Sequence, residues 1–160
     1  IRFKESDVRT MGRTAAGVRG MRLKDGDIVV GADIAKDEHE VLVITENGYG
    51  KRTEFSQYRC QTRGGSGVKA MNLTKKTGKI ASVKFVSEKD DLLVMTEGGQ
   101  VIRMGVADIS VMGRATQGVR LMNLREDDLV IAAALIPAEE DEETIDDTAN
   151  PAEGTLFDQQ

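Results

Sequence analysis

Apolar and polar positions alternate along this chain with a period of two, in short stretches bounded by turn residues, which predicts half-buried β-strands. Val41 to Thr45 meets Tyr49 to Thr53 across Glu46-Asn47-Gly48, and Leu92 to Thr96 meets Gln100 to Met104 across Glu97-Gly98-Gly99. Asn-Gly supplies the positive φ values of a tight primed turn, so both stretches are predicted hairpins. Residues 17–23 and 28–34, joined by Lys24-Asp25-Gly26, predict two further strands. That makes four strands per unit, all antiparallel.

The unit recurs. Arg13-x-x-x-Gly17-Val18-Arg19-x-Met21-x-Leu23 returns as Arg63-x-x-x-Gly67-Val68-Lys69-x-Met71-x-Leu73 and as Arg114-x-x-x-Gly118-Val119-Arg120-x-Met122-x-Leu124. The anchor glycines lie 50 and 51 residues apart, and Arg2, Arg52 and Arg103 each precede one by fifteen positions. A fixed period of this size marks a supersecondary unit that buries its apolar face only by stacking on its neighbours. Units are read at about 1–50, 51–101 and 102–136, within a folded body of residues 1–137. The fold class is all-β, propeller-like, with blades of four antiparallel strands; rings of such blades need about four or more to close, so about three form an open arc of a larger disc. The chain opens at Ile1 on an element that sits mid-unit in the other copies, as expected of a fragment. By parity the Met and Leu of each repeat face the core. Arg19, Lys69 and Arg120 share that parity, so each sits at a rim or is turned outward by a bulge.

Charge divides the chain at Pro137. Residues 138–160 hold nine acidic residues and no basic one, which leaves 22 basic against 18 acidic residues on the body, a net of +4. A run of like charge with little to bury is expected to stay disordered. One cysteine, Cys60, excludes a disulfide framework and fits a reducing cytosol. A cytoplasmic location is expected.

Basic residues at unit spacing are the main candidate chemistry: Arg2, Arg52 and Arg103; Arg13, Arg63 and Arg114; Arg19, Lys69 and Arg120, with Lys75, Lys76 and Lys79 extending the track. Equivalent positions on successive blades project at regular angular steps, which suits a bent polyanion. The competing role is structural, with some arginines tying units together through carboxylates such as Asp7 and Asp108. The Gly64-Gly65-Ser66-Gly67 run allows main-chain N–H groups to approach a phosphate and equally suits a tight turn leading into a strand. No Lys-Ser or Lys-Thr follows it, so it is not a nucleotide-binding P-loop. Enzyme chemistry is not expected: His39 is the lone histidine, in a Lys36-to-Glu40 loop read as a solvated turn, and Cys60 has no histidine in its repeat. No cofactor or metal is expected either.

These same residues carry a family resemblance. Met11-Gly12-Arg13-Thr-Ala-Ala-Gly17-Val18-Arg19-Gly20, Gly48-Tyr-Gly-Lys-Arg52 and Met112-Gly113-Arg114-Ala-Thr-Gln-Gly118-Val119 resemble the C-terminal domain of the A subunit of bacterial DNA gyrase, a β-pinwheel of about six blades that wraps DNA around its rim. Gln61-Thr62-Arg63-Gly64-Gly65-Ser66-Gly67 resembles the family's box heptad with Thr62 and Ser66 at its basic positions, as in a later blade. The resemblance implies largely sequence-independent binding of double-stranded DNA, with Gln61, Arg63, Gly64, Gly65 and Gly67 among the contacts. It also implies a role in negative supercoiling within an assembly of two A and two B subunits near the nucleoid, with the catalytic tyrosine, ATP and Mg on other domains. The acidic tail would regulate wrapping. A topoisomerase IV C-terminal domain and a propeller used as a protein-interaction scaffold are the alternatives.

Overall fold

The computed structural model describes residues 1–35 and 38–138. The acidic segment 138–160, expected to be disordered, lies outside them except for Ala138, whose amide donates to Asp90 Oδ1 at 3.3 Å. Among the described residues are the strands β1 (Glu40–Thr45), β2 (Tyr49–Glu54), β3 (Ile80–Val86), β4 (Asp91–Thr96), β5 (Val101–Gly105), β6 (Val119–Arg120) and β7 (Val130–Ile136). Three one-turn 3-10 segments, Glu5–Asp7, Phe55–Gln57 and Val106–Asp108, carry the sequence period into the backbone.

Both expected hairpins form. In β1–β2, Leu42 stands opposite Arg52 and Val43 opposite Lys51, and in β4–β5, Leu93 stands opposite Arg103. Their turns are not the primed pair that Asn-Gly suggests. Gly48 N donates to Thr45 O at 3.0 Å, and Gly99 N to Thr96 O at 3.1 Å. Within each turn only the final glycine has positive φ, +76° at Gly48 and +78° at Gly99. A three-residue loop closed by one left-handed glycine therefore serves both hairpins.

The sheets are ordered β3-β1-β2-β6 and β5-β4-β7, with every ladder antiparallel. The four-stranded blade is thus real, but it is not built within one unit. Its hairpin starts in unit one and crosses into unit two, β3 belongs to unit two and β6 to unit three. Likewise β7, from unit three, lies on the hairpin of unit two. The strands expected at 17–23, 28–34 and 67–73 are absent, because a strand of this type needs the edge of an earlier unit's hairpin to complete its ladder. Residues 28–34 find no ladder partner among the described residues and leave Ile28 and Ile34 78% and 76% exposed.

Burial follows from this exchange. Leu42 and Ile44 of β1 face Leu92, Val94, Val106, Ile109, Met122 and Val130, joining the two sheets into one core. Val41 and Val43, on the opposite face, meet Tyr49, Phe55 and Met71. β1 is therefore covered on both faces and reads as an unbroken apolar run, whereas β4 buries only alternate residues. Met71 and Met122 are buried as parity requires, but Met21 is only half-buried. Leu23 and Leu73 are each 43% exposed, contrary to the parity reading, because their segments never become regular strands.

Successive units are clasped by an arginine. Arg52, expected on a DNA-facing rim, is instead 3% exposed inside β2. Its Nε donates to Ile109 O at 2.7 Å and Nη2 to Ala107 O at 3.3 Å, both in unit three. Nη1 donates to Glu40 Oε2 at 2.6 Å and to Glu88 Oε1 at 3.1 Å. The main chain adds Arg52 N to Ser110 O at 3.1 Å and Met112 N to Arg52 O at 2.8 Å. Arg2 repeats the theme on unit two, with Nη1 on Tyr58 O at 3.3 Å and its guanidinium 3.8 Å from the Phe55 ring centroid. Arg103 keeps only the carboxylate part, Nε to Asp91 Oδ2 at 2.7 Å, with its side chain 63% exposed. Replacing Arg52 with Ala strands the buried carbonyls and Glu40 together, so the expected loss is about 3–5 kcal/mol of stability. Urea unfolding followed by circular dichroism checks this, and an unchanged midpoint would remove the clasp from the fold.

Candidate nucleic-acid interface

The basic residues predicted for a rim separate by what they touch. Arg52 is withdrawn into the core, and Arg2 and Arg103 are engaged as described. Arg63 and Arg114 occupy equivalent places and do equivalent things. Arg63 donates from Nη1 to Arg19 O at 2.6 Å and from Nε to Asp7 O at 3.2 Å, while Arg114 Nη1 donates to Lys69 O at 2.8 Å. The tie between units is thus made to backbone carbonyls and not to the Asp7 or Asp108 carboxylates that the sequence suggested. Each guanidinium uses one or two of its five donors in this way.

Arg19, Lys69 and Arg120 have exposed side chains, and so has Arg13. The parity problem they posed is solved at β6 by a bulge. Arg120 pairs with Tyr49, but Leu121 N and Met122 N both donate to Gly48 O, at 2.8 and 3.4 Å. Two residues opposite one break the alternation, so Arg120 faces outward while Met122 stays buried. Lys75, Lys76 and Lys79 are exposed on the following turn, which Asn47 Nδ2 holds through the carbonyls of Lys75 at 3.3 Å and Lys76 at 3.1 Å.

The glycine loop is occupied by assembly. Gly64 N donates to Gly20 O at 2.7 Å, Arg22 N to Gly65 O at 2.8 Å, and Gln61 N to Arg2 O at 2.9 Å. The amide of Gly64 therefore completes unit one and is not aimed at a ligand. The anchor glycines Gly17, Gly67 and Gly118 share a positive φ, and at Gly118 there is a steric demand as well. Gly118 has a φ of +76°, and a Cβ there would stand 2.6 Å from Gly50 O.

One residue at this interface was missed by sequence reading. Lys51 is fully buried, yet its Nζ donates to Gly113 O at 2.6 Å, Arg114 O at 2.8 Å and Thr116 Oγ1 at 3.2 Å. All three ammonium donors are spent on the loop that carries Arg114. Burial, and then the charge of Arg114, lower its pKa to about 8. The corresponding positions in the other units are Ile1 and Ile102, so no recurrence flagged it. Its place next to Arg52 in Gly-Lys-Arg was the only available signal. Among the described residues no group of three or more His, Cys, Asp or Glu could hold a metal, and His39 is half-buried instead of solvated.

Blades completed by strands from neighbouring repeats, clasped through an arginine at each junction, define a pinwheel-type β-repeat protein. The family model described as DNA gyrase C-terminal domain, beta-propeller, matches residues 1–36, 39–87 and 90–137, and the chain belongs to that family. The A subunit of DNA gyrase from Staphylococcus epidermidis is 51% identical over 143 residues, covering 88% of this chain and 16% of that protein. Its counterpart from Staphylococcus aureus is 46% identical over 155 residues, covering 96% and 18%. The chain thus spans less than a fifth of these relatives. Among solved structures, a DNA gyrase A C-terminal domain superposes with a TM-score of 0.79 at 30% identity, over 84% of this chain and 46% of that one. The C-terminal domain of a DNA topoisomerase IV superposes with a TM-score of 0.80 at 28% identity, over 86% and 43%.

The depressed pKa of Lys51 fixes a pH signature. Between about 8 and the ordinary lysine value of 10.5 the unfolded chain binds more protons at this residue than the folded one, so its contribution to stability rises with pH through that window. The difference in unfolding free energy between the protein and a Lys51→Met variant should therefore shift in favour of Lys51 as pH rises through that window. Denaturant titrations at a series of pH values check it; a constant difference would mean that the ammonium is not desolvated.

Proposed function

We propose that this chain is the DNA-wrapping part of a gyrase A subunit, where it binds the phosphate backbone of a duplex along its exposed basic residues and bends it to support negative supercoiling. The observation that carries this reading is the outward position of Arg19, Lys69 and Arg120 at the same place in three successive units, with Arg13, Lys75, Lys76 and Lys79 also exposed. Membership of the gyrase family supplies the context. Among the described residues no base-reading element accompanies them, so affinity should depend on phosphate charge and duplex deformability. In the whole enzyme the chain would act beside the other domains of the A subunit, with B subunits completing the assembly, in the bacterial cytoplasm at the nucleoid. ATP and Mg would serve those other domains.

A second reading, a topoisomerase IV C-terminal domain that binds DNA segments without wrapping them, is favoured by the near-equal superposition on that structure. The two differ in topology. Sealing nicked circles in the presence of the full-length parent protein should trap a change in linking number if the duplex is wrapped, and none if it is only bound.

If about six exposed basic residues meet phosphates, the slope of log affinity against log salt should be about −5. Fluorescence anisotropy with duplexes of unrelated sequence checks both the slope and its indifference to sequence; a flat salt response would sink the reading. Truncation after Pro137 removes nine acidic residues that compete with phosphate at high local concentration, so affinity at low salt should rise. Unchanged affinity would deny the tail a regulatory role and leave the wrapping proposal standing.

A further inference from the structure

Three repeats meet at one phenol. Tyr49 opens β2 in unit one and is 7% exposed. Its hydroxyl accepts a hydrogen bond from Arg120 Nη2 of unit three at 2.9 Å, with the guanidinium carbon 5.5 Å from the ring centroid. Lys76 Nζ of unit two stands 5.3 Å from the same centroid. Arg120 is steadied further by Asn123 Oδ1 at 3.1 Å, and the turn bearing Lys76 by Asn47. Two cations from different repeats thus converge on one ring and line one shallow cavity with it.

Lys76 and Arg120 make no ion pair among the described residues. Asp128 also lines the cavity as an anion, so Lys76 and Arg120 leave an excess of one cation there, and the oxygens of Asp128 are held by neutral donors. Oδ2 accepts from Thr96 Oγ1 at 2.7 Å, and Oδ1 from Gly98 N at 2.8 Å and Leu129 N at 2.9 Å. The hydrogen bond from Arg120 holds the Tyr49 hydroxyl below its usual range against the opposing effect of burial, and the charges of Arg120 and Lys76 act in the same direction. A fork-shaped donor beside a point charge is the donor set that a phosphate accepts.

The second hairpin provides an internal contrast. Its turn at 125–128 is built like that at 74–77, with Asp128 N donating to Arg125 O at 3.2 Å as Thr77 N donates to Thr74 O at 3.2 Å. There Glu126 and Asp127 replace Lys75 and Lys76, and Gln100 follows the hairpin glycine where Tyr49 does in the first. The cavity at that corner is lined by Glu97, Glu126, Asp127 and Asp128 with Arg125 as its one cation, and the excess of carboxylates repels an anion. Fold geometry alone therefore does not make the site; these three side chains do.

We infer that Lys76 and Arg120, with Tyr49 as the positioning residue between them, clamp one backbone phosphate of a DNA duplex at the first hairpin tip and not at the second. This rests on the DNA-binding reading above. The chain lets go of phosphate at the acidic corner, so the contact track is interrupted there.

Anisotropy of a labelled duplex over a salt series, with the full chain and its variants, supplies the first test. Lys76→Ala and Arg120→Ala should each reduce the salt slope by about one, whereas Glu126→Gln should leave it unchanged. Tyr49→Phe should weaken affinity about fivefold by freeing Arg120. The second test reads Tyr49 itself, by 13Cζ-tyrosine NMR in a Tyr58→Phe background, and needs no variant at the clamp. Phosphate held there opposes the two cations, so duplex should move the Tyr49 titration to higher pH. Duplex binding with an unmoved Tyr49 titration and an unaltered slope in both Ala variants would overturn the clamp and leave DNA binding intact. No duplex binding by the unaltered chain would overturn the DNA reading and the clamp with it. An equal shift produced by inorganic phosphate alone, at the same phosphate concentration, would overturn the assignment to duplex DNA.

Discussion

Everything else in this molecule depends on one buried guanidinium. Arg52 reaches from the first hairpin into unit three, satisfying the carbonyls of Ala107 and Ile109 while Glu40 and Glu88 balance its charge. A lone cation at that depth would be costly to desolvate. It is tolerated because each of its three nitrogens meets an acceptor, and those acceptors come from separate repeats. The same bonds that satisfy the arginine therefore fix where unit three sits, and with it β6 on the outer edge of β2.

Strand exchange follows from that placement. A hairpin alone leaves two open edges and apolar side chains on both faces of β1. β3 from unit two and β6 from unit three close those edges, and Leu42 and Ile44 find their core partners on β4 and in the unit-three loop. No unit could fold by itself into the blade it appears to encode. Cooperativity is consequently long-range, because the residues that complete unit one lie nearly seventy positions downstream in sequence, as in the pairing of Gly50 with Val119.

Positive charge in the chain has been divided between assembly and surface. Arg52 and Lys51 are buried and bind carbonyls of the next blade. Arg63 and Arg114 spend part of their donor capacity on the carbonyls of Arg19 and Lys69, and in doing so hold the very residues whose side chains face outward. An exposed cation on a mobile loop loses side-chain freedom when it meets a phosphate; one whose backbone is already pinned by a neighbouring blade loses less. Structural and outward-facing arginines thus work as pairs.

The sequence by itself determined the repeat, its period, both hairpins, the buried Met71 and Met122 and the family, because each is encoded locally by spacing, parity or turn chemistry. It could not show that a blade borrows strands from two other repeats, since antiparallel pairing looks the same whether its partner lies ten residues away or seventy. For that reason the segments 17–23 and 28–34, which carry correct strand patterns, remain irregular. Nor could it sort the arginines. Arg52 and Arg120 are both basic, recurrent and within a strand, and only the tertiary structure buries one against carbonyls and turns the other outward through a bulge. Lys51 and Tyr49 were hard to single out for the opposite reason: neither recurs, so the role of Lys51 exists only where it meets the loop of unit three, and that of Tyr49 only where three repeats are brought together in space.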